Sequence, residues 1–112
     1  MEKDKADLLP GTLDLLVLKT VDTMGPIHGW GIAKRIEQVS QDLLEMKYGT
    51  LYPALMKLEQ NGWISSVWGA SENNRRARFY SITKQGRKQL ALEAEKWERM
   101  AAFITRVLGS AR

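Results

Sequence analysis

Residues 48–64 read YGTLYPALMKLEQNGWI, and they predict a helix that ends shortly before a strand. Thr50 has a side chain suited to cap a helix, and Pro53 then falls in the first turn, where a missing N–H costs nothing. Asn61 and Gly62 end the helix, since glycine readily adopts the left-handed conformation found at helix C-termini. The apolar residues at helical spacing are Leu51, Ala54, Leu55 and Leu58. This segment therefore predicts an amphipathic helix with one polar face.

Two further helices are predicted upstream of this segment. Thr12 is suited to cap the first, whose apolar residues occupy more than one face. The second opens at residues 29–31, and its inward positions are predicted to be Ile32, Ile36 and Val39. The amphipathic helix of residues 48–64 is thus the third in the chain.

A hairpin and a last helix are predicted downstream. Residues 63–68 and 78–82 have the composition of strands, and residues 69–74 that of a turn. Thr83 then caps a helix that runs to about Leu108. Three helices followed by a hairpin are the order of a winged helix-turn-helix. The predicted fold class is mainly α with a small two-stranded β wing, a winged helix-turn-helix followed by a long C-terminal dimerisation helix.

Length and composition limit the class of protein. The chain has 112 residues and no cysteine, which favours one core and excludes disulfides and thiolate metal sites. Two domains are predicted, a winged helix-turn-helix unit at residues 1–83 and the C-terminal helix at residues 84–112. The N-terminus is charged and no apolar run approaches the roughly 18 residues of a membrane span. We expect a cytoplasmic protein with no membrane contact and with no metal or other cofactor.

The basic residues are concentrated in the middle of the chain. Residues 48–90 carry seven Lys or Arg against two Asp or Glu, whereas residues 1–47 carry six against eight. A basic segment between near-neutral ones is typical of a surface that faces phosphates, although a solvated charged face is the more common cause. The charge pattern alone leaves both interpretations open.

Residue types on the third helix and the hairpin favour nucleic acid. The helix carries side chains that donate to phosphates or base edges, and its N-terminus itself favours phosphate. Three arginines within four residues of the hairpin repel one another, so an external polyanion is a reasonable partner. The predicted DNA-contacting residues are Lys34, Thr50, Tyr52, Lys57, Asn74, Arg75, Arg76 and Arg78.

The last helix carries apolar residues spaced alternately four and three apart, as in a coiled-coil seam. A single helix cannot bury such a seam, so we expect a homodimer, with apolar residues of the first helix packed against the partner. The predicted interface residues are Leu15, Leu18, Leu90, Ala94, Trp97, Ala101, Ile104 and Leu108. Trp97 has two interpretations: plain packing in the dimer, or one wall of a pocket for a small aromatic effector.

Three other features have alternative interpretations. His28 is the only histidine, so a turn or cap role is favoured over that of a metal ligand or general base. Tyr52 either contacts DNA or packs against the wing. Trp63 and Trp68 flank the first strand, and we expect them to pack in the core or hairpin rather than to stack on bases.

Four segments of the sequence resemble the PadR family of bacterial transcriptional regulators. These are LLPGTLDLLVL (residues 8–18), GPIHGWGIAKRI (25–36), the 48–64 segment and NRRARFYSITKQGRKQL (74–90), with GTLYPAL (49–55) the most specific part. Two positions depart from the family pattern, where Trp30 and Phe79 stand in place of common tyrosines.

The resemblance implies a winged-helix domain, a C-terminal dimerisation helix, a palindromic operator and repression relieved by a small molecule. It places the recognition helix at residues 50–61 and wing contacts at Arg75 and Arg76. The single C-terminal helix is similar to the compact branch of the family.

The predicted function is therefore repression of transcription through binding of double-stranded DNA by a homodimer. The alternative is a winged-helix module that binds another protein with the same polar face. An enzyme is the weakest hypothesis, because the sequence offers no nucleophile with a base, no metal-ligand cluster and no phosphate-binding glycine loop.

Overall fold

The computed structural model describes residues 11–109, which form four helices and three strands. In chain order these are α1 (Thr12–Met24), β1 (Ile27–His28), α2 (Gly29–Val39), α3 (Tyr48–Gln60), β2 (Ile64–Ala70), β3 (Arg76–Ile82) and α4 (Lys84–Gly109). The predicted fold class, mainly α with a β hairpin before a long C-terminal helix, is confirmed. The charged N-terminal stretch, residues 1–10, lies outside the described residues.

The core is built around α1, which contacts α2, α3, β3 and α4. Its Val17, Leu18 and Val21 are at most 1% exposed. The apolar stripe of α3 is buried as predicted, and full burial of one Leu side chain stabilises the fold by about 1.5–3 kcal/mol. This packing fixes α3 on one face and leaves its other face in solvent.

The third helix begins earlier than the sequence predicted. Its N-cap is Lys47, which has an extended backbone, and the amides of Thr50 and Leu51 both donate to the Lys47 carbonyl. Thr50 therefore lies inside the first turn and does not cap the helix. Pro53 falls in the second turn, where it cannot donate to the Gly49 carbonyl.

Two details of the first helices also differ from the prediction. α1 is preceded by Gly11 in the left-handed conformation (φ 87°), so Thr12 is the first helical residue rather than the cap. Val39, predicted to face inwards, is 66% exposed because it is the last residue of α2, at the point where the helix leaves the core.

Two predicted caps are present. The Gly31 amide donates to Nδ1 of His28 over 3.0 Å, so His28 caps α2. The Gly86 amide donates to Oγ1 of Thr83 over 2.9 Å, and that hydroxyl donates to the Gly62 carbonyl over 2.6 Å. Thr83 thus caps α4 and ties its start to the end of α3.

The sheet has one more strand than the sequence predicted. Its order is β1-β3-β2, and both pairs are antiparallel. Ile27 pairs with Tyr80 and His28 with Phe79. A two-residue strand is too short to show an alternating pattern, so β1 depends on pairing with β3 and not on its own sequence.

α4 is anchored at its start and exposed beyond. A Cβ at Gly86 would collide with the carbonyl oxygen of Trp63, which shows how closely α4 approaches the backbone there. From Leu92 onwards most of its large apolar side chains are exposed. Within residues 11–109, none of the helices is both long enough and apolar enough to span a bilayer.

Candidate nucleic-acid interface

The exposed side of α3 and the hairpin border a cleft of about 760 Å³. One wall consists of α3 residues one helical turn apart, and the other of residues on β2, β3 and their turn. The main lining residues are Tyr48, Tyr52, Met56, Glu59, Trp68, Arg75, Arg76 and Arg78, with His28, Gly29 and Trp30 at one end. The cleft thus brings Tyr52 together with Arg75, Arg76 and Arg78, while Lys34, Thr50, Lys57 and Asn74 lie outside it.

The N-terminus of α3 is suited to meet an anion. Lys47 gives its first turn no side-chain hydrogen bond, and that turn holds no acidic residue. A Cβ at Gly49 would meet open space, so no residue among 11–109 packs against that position. Amide groups at the start of a helix attract phosphate, and the absence of a side chain allows close approach.

The Tyr52 side chain extends from α3 and packs against Gly29 at the start of α2. A Cβ at Gly29 would collide with the Tyr52 hydroxyl, and the rings of Tyr48 and Tyr52 lie 5.7 Å apart. Tyr52 is nonetheless 44% exposed. The ring therefore fixes the spacing of the two helices while part of it stays available to a ligand.

The predicted lysine contacts lie on the outer surface. Nζ of Lys57 is 3.5 Å from Oδ2 of Asp14, and an exposed ion pair of this kind is worth at most about 1 kcal/mol. Nζ of Lys34 lies 5.6 Å from the Trp30 ring centre. Thr50 is exposed in the first turn of α3. All three side chains are accessible to DNA.

The turn of the hairpin is tightly hydrogen-bonded. The Ser71 amide donates to the Arg75 carbonyl over 2.8 Å, and the Asn74 amide donates to the Ser71 carbonyl over 2.8 Å. Asn74 has φ 60°, a left-handed conformation that asparagine tolerates well. This geometry explains Asn74 without a DNA contact, and it presents Arg75 at the tip.

Two of the wing arginines contact the ring of Trp68. The guanidinium carbons of Arg76 and Arg78 lie 4.7 and 5.2 Å from its ring centre. Trp68 is 54% exposed and packs within the hairpin, whereas Trp63 is half-buried against the core. These positions agree with the packing roles expected for both tryptophans.

An acidic residue of the wing faces the start of α2. Oε1 of Glu72 is 3.6 Å from Nε2 of His28. A hydrogen bond from its own backbone N–H, and then the contact with His28, lower the pKa of the Glu72 carboxyl below its ordinary value. Glu72 therefore stays ionised and links the wing tip to the His28 cap.

Two of the three tyrosines that line the cleft, Tyr48 and Tyr80, remain protonated at neutral pH. Burial raises the pKa of Tyr48, with smaller contributions from Tyr52 and Glu37. Burial likewise raises the pKa of Tyr80. Of the two, Tyr48 is exposed and can donate to a phosphate oxygen, whereas Tyr80 is buried in the core.

The family follows from the sequence comparison. Residues 17–92, more than half of the chain, match the Transcriptional regulator PadR-like family. The chain belongs to the PadR family. As a member of this family the protein is a DNA-binding transcriptional regulator and not an enzyme, as the sequence analysis predicted.

Solved structures similar to this PadR-family protein include a transcriptional regulator from Clostridium thermocellum. It is 33% identical, with a TM-score of 0.79 over 90% of this chain and 97% of that one. A PadR-like transcriptional regulator from Bacillus cereus is 19% identical, with a TM-score of 0.78 over 92% and 97% of the two chains, and shows the shared fold.

A curated relative is much longer than this chain. An uncharacterized 37.1 kDa protein in transposon TN4556 of Streptomyces fradiae is 37% identical over 80 residues. The match covers 71% of this chain but only 21% of that protein. The PadR-family chain thus spans about a fifth of the length of this relative.

The predicted interface residues of this PadR-family protein do not share one environment. Leu18 is fully buried in the core of its own chain, so it offers no surface to a partner, contrary to expectation. Leu15, Leu90, Ala94 and Ala101 are half-buried. The others are exposed: Trp97 (42%), Ile104 (39%) and Leu108 (78%).

Three residues of this surface were missed by sequence reasoning, and for Trp68 the packing was expected but not the contacts with arginines. Glu59, Glu72 and Trp68 contact residues on other elements, so no local pattern marks these contacts. Gly49 precedes the predicted cap Thr50, and the error in the helix start hid its place in the first turn.

Proposed function

We propose that this protein is a repressor that binds an inverted-repeat operator in double-stranded DNA as a homodimer. The observation that carries the proposal is the cleft in which the open face of α3 meets Arg75, Arg76 and Arg78 of the wing. In winged-helix proteins such a helix enters the major groove while the wing meets the backbone or minor groove. Lys34, Thr50, Tyr52 and Lys57 supply further contacts in this proposal, and Asn74 shapes the turn.

In the proposed dimer, the two chains contact each other through α4. Its exposed side chains form an apolar surface over its C-terminal half, and apolar patches of this kind mark protein interfaces. A second copy of the helix would cover it, with Leu15 of α1 at the edge. Residues 84–112 then act as the dimerisation helix, and residues 1–83 as the DNA-binding domain.

The symmetry of this dimer sets the target. Two α3 helices related by a twofold axis reach half-sites about one helical turn apart, roughly 34 Å, so the operator is an inverted repeat. A pair of Trp97 side chains near the seam is the proposed site for a small aromatic effector that releases the DNA.

Selection of fragments from a random duplex pool by the purified protein tests the proposal. We expect the selected fragments to contain an inverted repeat. We also expect the affinity to fall steeply with salt: the logarithm of the binding constant should fall by about 0.9 per neutralised phosphate for each unit in the logarithm of the salt concentration. A flat salt dependence would instead favour the alternative, a winged-helix module that binds protein.

The Lys57→Ala variant tests one contact within this surface. It should weaken binding to all sequences alike and reduce the salt slope by about one, since Lys57 is proposed to contact phosphate. Lys96→Ala, which removes an exposed lysine of α4, is the matched control. Unchanged affinity and slope in Lys57→Ala would remove Lys57 from the interface.

A further inference from the structure

Two wing arginines contact the same aromatic ring. Trp68 pairs with Arg78 across the hairpin, and Arg76 pairs with Ala70, so the three side chains share one face of the sheet. Both guanidinium groups lie within 5.2 Å of the Trp68 ring centre. The negative face of an indole ring attracts cations and offsets part of the repulsion between two arginines. Trp68 therefore contacts both charged groups and favours their positions beside its ring.

Arg78 is also tied to the end of α3. Its Nε donates to Oγ of Ser66 over 3.0 Å, and that hydroxyl donates to Oε2 of Glu59 over 2.8 Å. Glu59 and Ser66 are both half-buried. The sequence of contacts from Glu59 through Ser66 and Arg78 to Trp68 joins α3 to the wing.

These contacts leave most of the arginine donors unused. Only Nε of Arg78 takes part in the hydrogen bonds, so within residues 11–109 its two terminal nitrogens remain for an external acceptor. Arg75 lies at the turn, and no hydrogen bond or ion pair holds its side chain within the described part of the chain. Of the three wing arginines, Arg76 and Arg78 therefore have contacts that position their side chains, whereas Arg75 has none among the described residues.

We propose that Trp68 and Glu59 are positioning residues that hold Arg76 and Arg78 at a fixed place relative to α3, ready to bind the phosphate backbone. The inference rests on the proposed DNA binding. It deepens that function by naming two residues that act through the arginines and need not touch DNA. Side chains held in the binding geometry lose less entropy on association, which raises affinity.

Substitution of Glu59 distinguishes a positioning role from a simple effect of charge on DNA binding. A carboxylate beside a DNA-binding surface repels phosphate, so by charge alone its removal would strengthen binding. If Glu59 positions Arg78, its replacement by alanine weakens binding. Glu59→Gln keeps an oxygen that can accept from Ser66 and should retain at least the affinity of the parent.

The experiment measures dissociation constants on the selected duplex over a range of salt. Trp68→Ala should bind about fivefold to tenfold more weakly, the loss expected from two cation–π contacts, with a smaller salt slope. Trp68→Phe should recover part of the loss. Val67→Ala, at the next residue of β2 and with its side chain on the opposite face, is the matched control and should match the parent.

A double-mutant cycle tests whether Trp68 acts through the arginines. In a background of Arg76→Ala and Arg78→Ala, the further change Trp68→Ala should have no additional effect on affinity. An equal loss in both backgrounds would overturn the proposal, because Trp68 would then act independently of the two arginines.

The outcomes distinguish this inference from the function on which it rests. Parent protein without salt-dependent duplex binding contradicts the proposed function. Strong binding by the parent, with Trp68→Ala unchanged and Glu59→Ala equal to or tighter than the parent, overturns the positioning role alone. Thermal melting of each variant checks folding, and if Trp68→Ala does not fold, the comparison of Glu59→Ala with Glu59→Gln decides.

Discussion

The winged-helix unit, residues 11–83, and α4 differ in how far their apolar side chains are buried. Within residues 11–83, Leu18, Ile32 and Leu51 are 0% exposed and pack in the core of the chain. In the C-terminal half of α4, Phe103 and Leu108 are 53% and 78% exposed. The apolar side chains of the first region are covered within the chain, whereas those of the second are not covered by any residue of the described part, 11–109.

The largest expected effect comes from a core leucine of the winged-helix unit. Leu18→Ala removes a fully buried side chain and should lower the free energy of unfolding by about 2–5 kcal/mol, through lost burial and the cavity that remains. Urea denaturation at a fixed protein concentration measures this change.

Leu108→Ala is the same substitution at an exposed site of α4. It should change the stability of the protomer little and instead shift the monomer–dimer equilibrium, measured by sedimentation over a range of concentrations. A Leu18 variant as stable as the parent, or equal losses of stability at both sites, would remove the distinction between the two regions.

The sequence predicted the elements that have their own periodicity. The stripes of α3 and α4 appear as apolar spacing, and the caps at His28 and Thr83 as residue types next to glycine-rich or helical segments. Leu18 was misplaced because α1 is apolar on more than one face. Periodicity shows which residues avoid water, but not whether a neighbour in the same chain or in a partner covers them.

The candidate site was predicted only in its residue types. The arginines of the wing and the polar face of α3 are visible in the sequence. The contacts of Trp68 with Arg76 and of Ser66 with Glu59 depend on the register of the hairpin and on how it packs against α3. Such long-range geometry has no local signal, and β1 is missed for the same reason.

A smaller effect is expected from substitution of Gly49, which should increase stability and decrease DNA affinity. Glycine within a helix costs up to about 1 kcal/mol relative to alanine, and a Cβ here meets open space. Gly49→Ala should therefore raise the melting temperature. It should also weaken DNA binding, since the new methyl group lies where the backbone is proposed to approach phosphate.

Thermal melting and duplex titration of the same preparation measure both effects. Ala102→Gly, at an exposed site of α4, is the reverse substitution and should lower the melting temperature with little change in DNA affinity. A Gly49→Ala protein that is stabilised and binds DNA as tightly as the parent would show that the start of α3 does not approach the backbone of the duplex.

The smallest effect concerns the link between the wing tip and α2. The pKa of Glu72 is lowered below 4.5, first by its own backbone N–H and then by His28. A carboxyl whose pKa falls on folding stabilises the fold above its unfolded pKa, and this contribution disappears as the pH drops through the folded pKa. The parent should therefore be slightly more stable than Glu72→Gln at neutral pH, and the two should converge below pH 4.5.

Carboxyl resonances followed by NMR over a pH titration measure the pKa of Glu72 directly. In His28→Asn, which keeps a residue able to cap α2, that pKa should rise but stay below its ordinary value, because the larger cause is the backbone hydrogen bond. A Glu72 pKa that is the same in both proteins would show that the His28 side chain does not act on the Glu72 carboxyl. His28 would then contact the wing through its pairing and ring contact with Phe79, and not through Glu72.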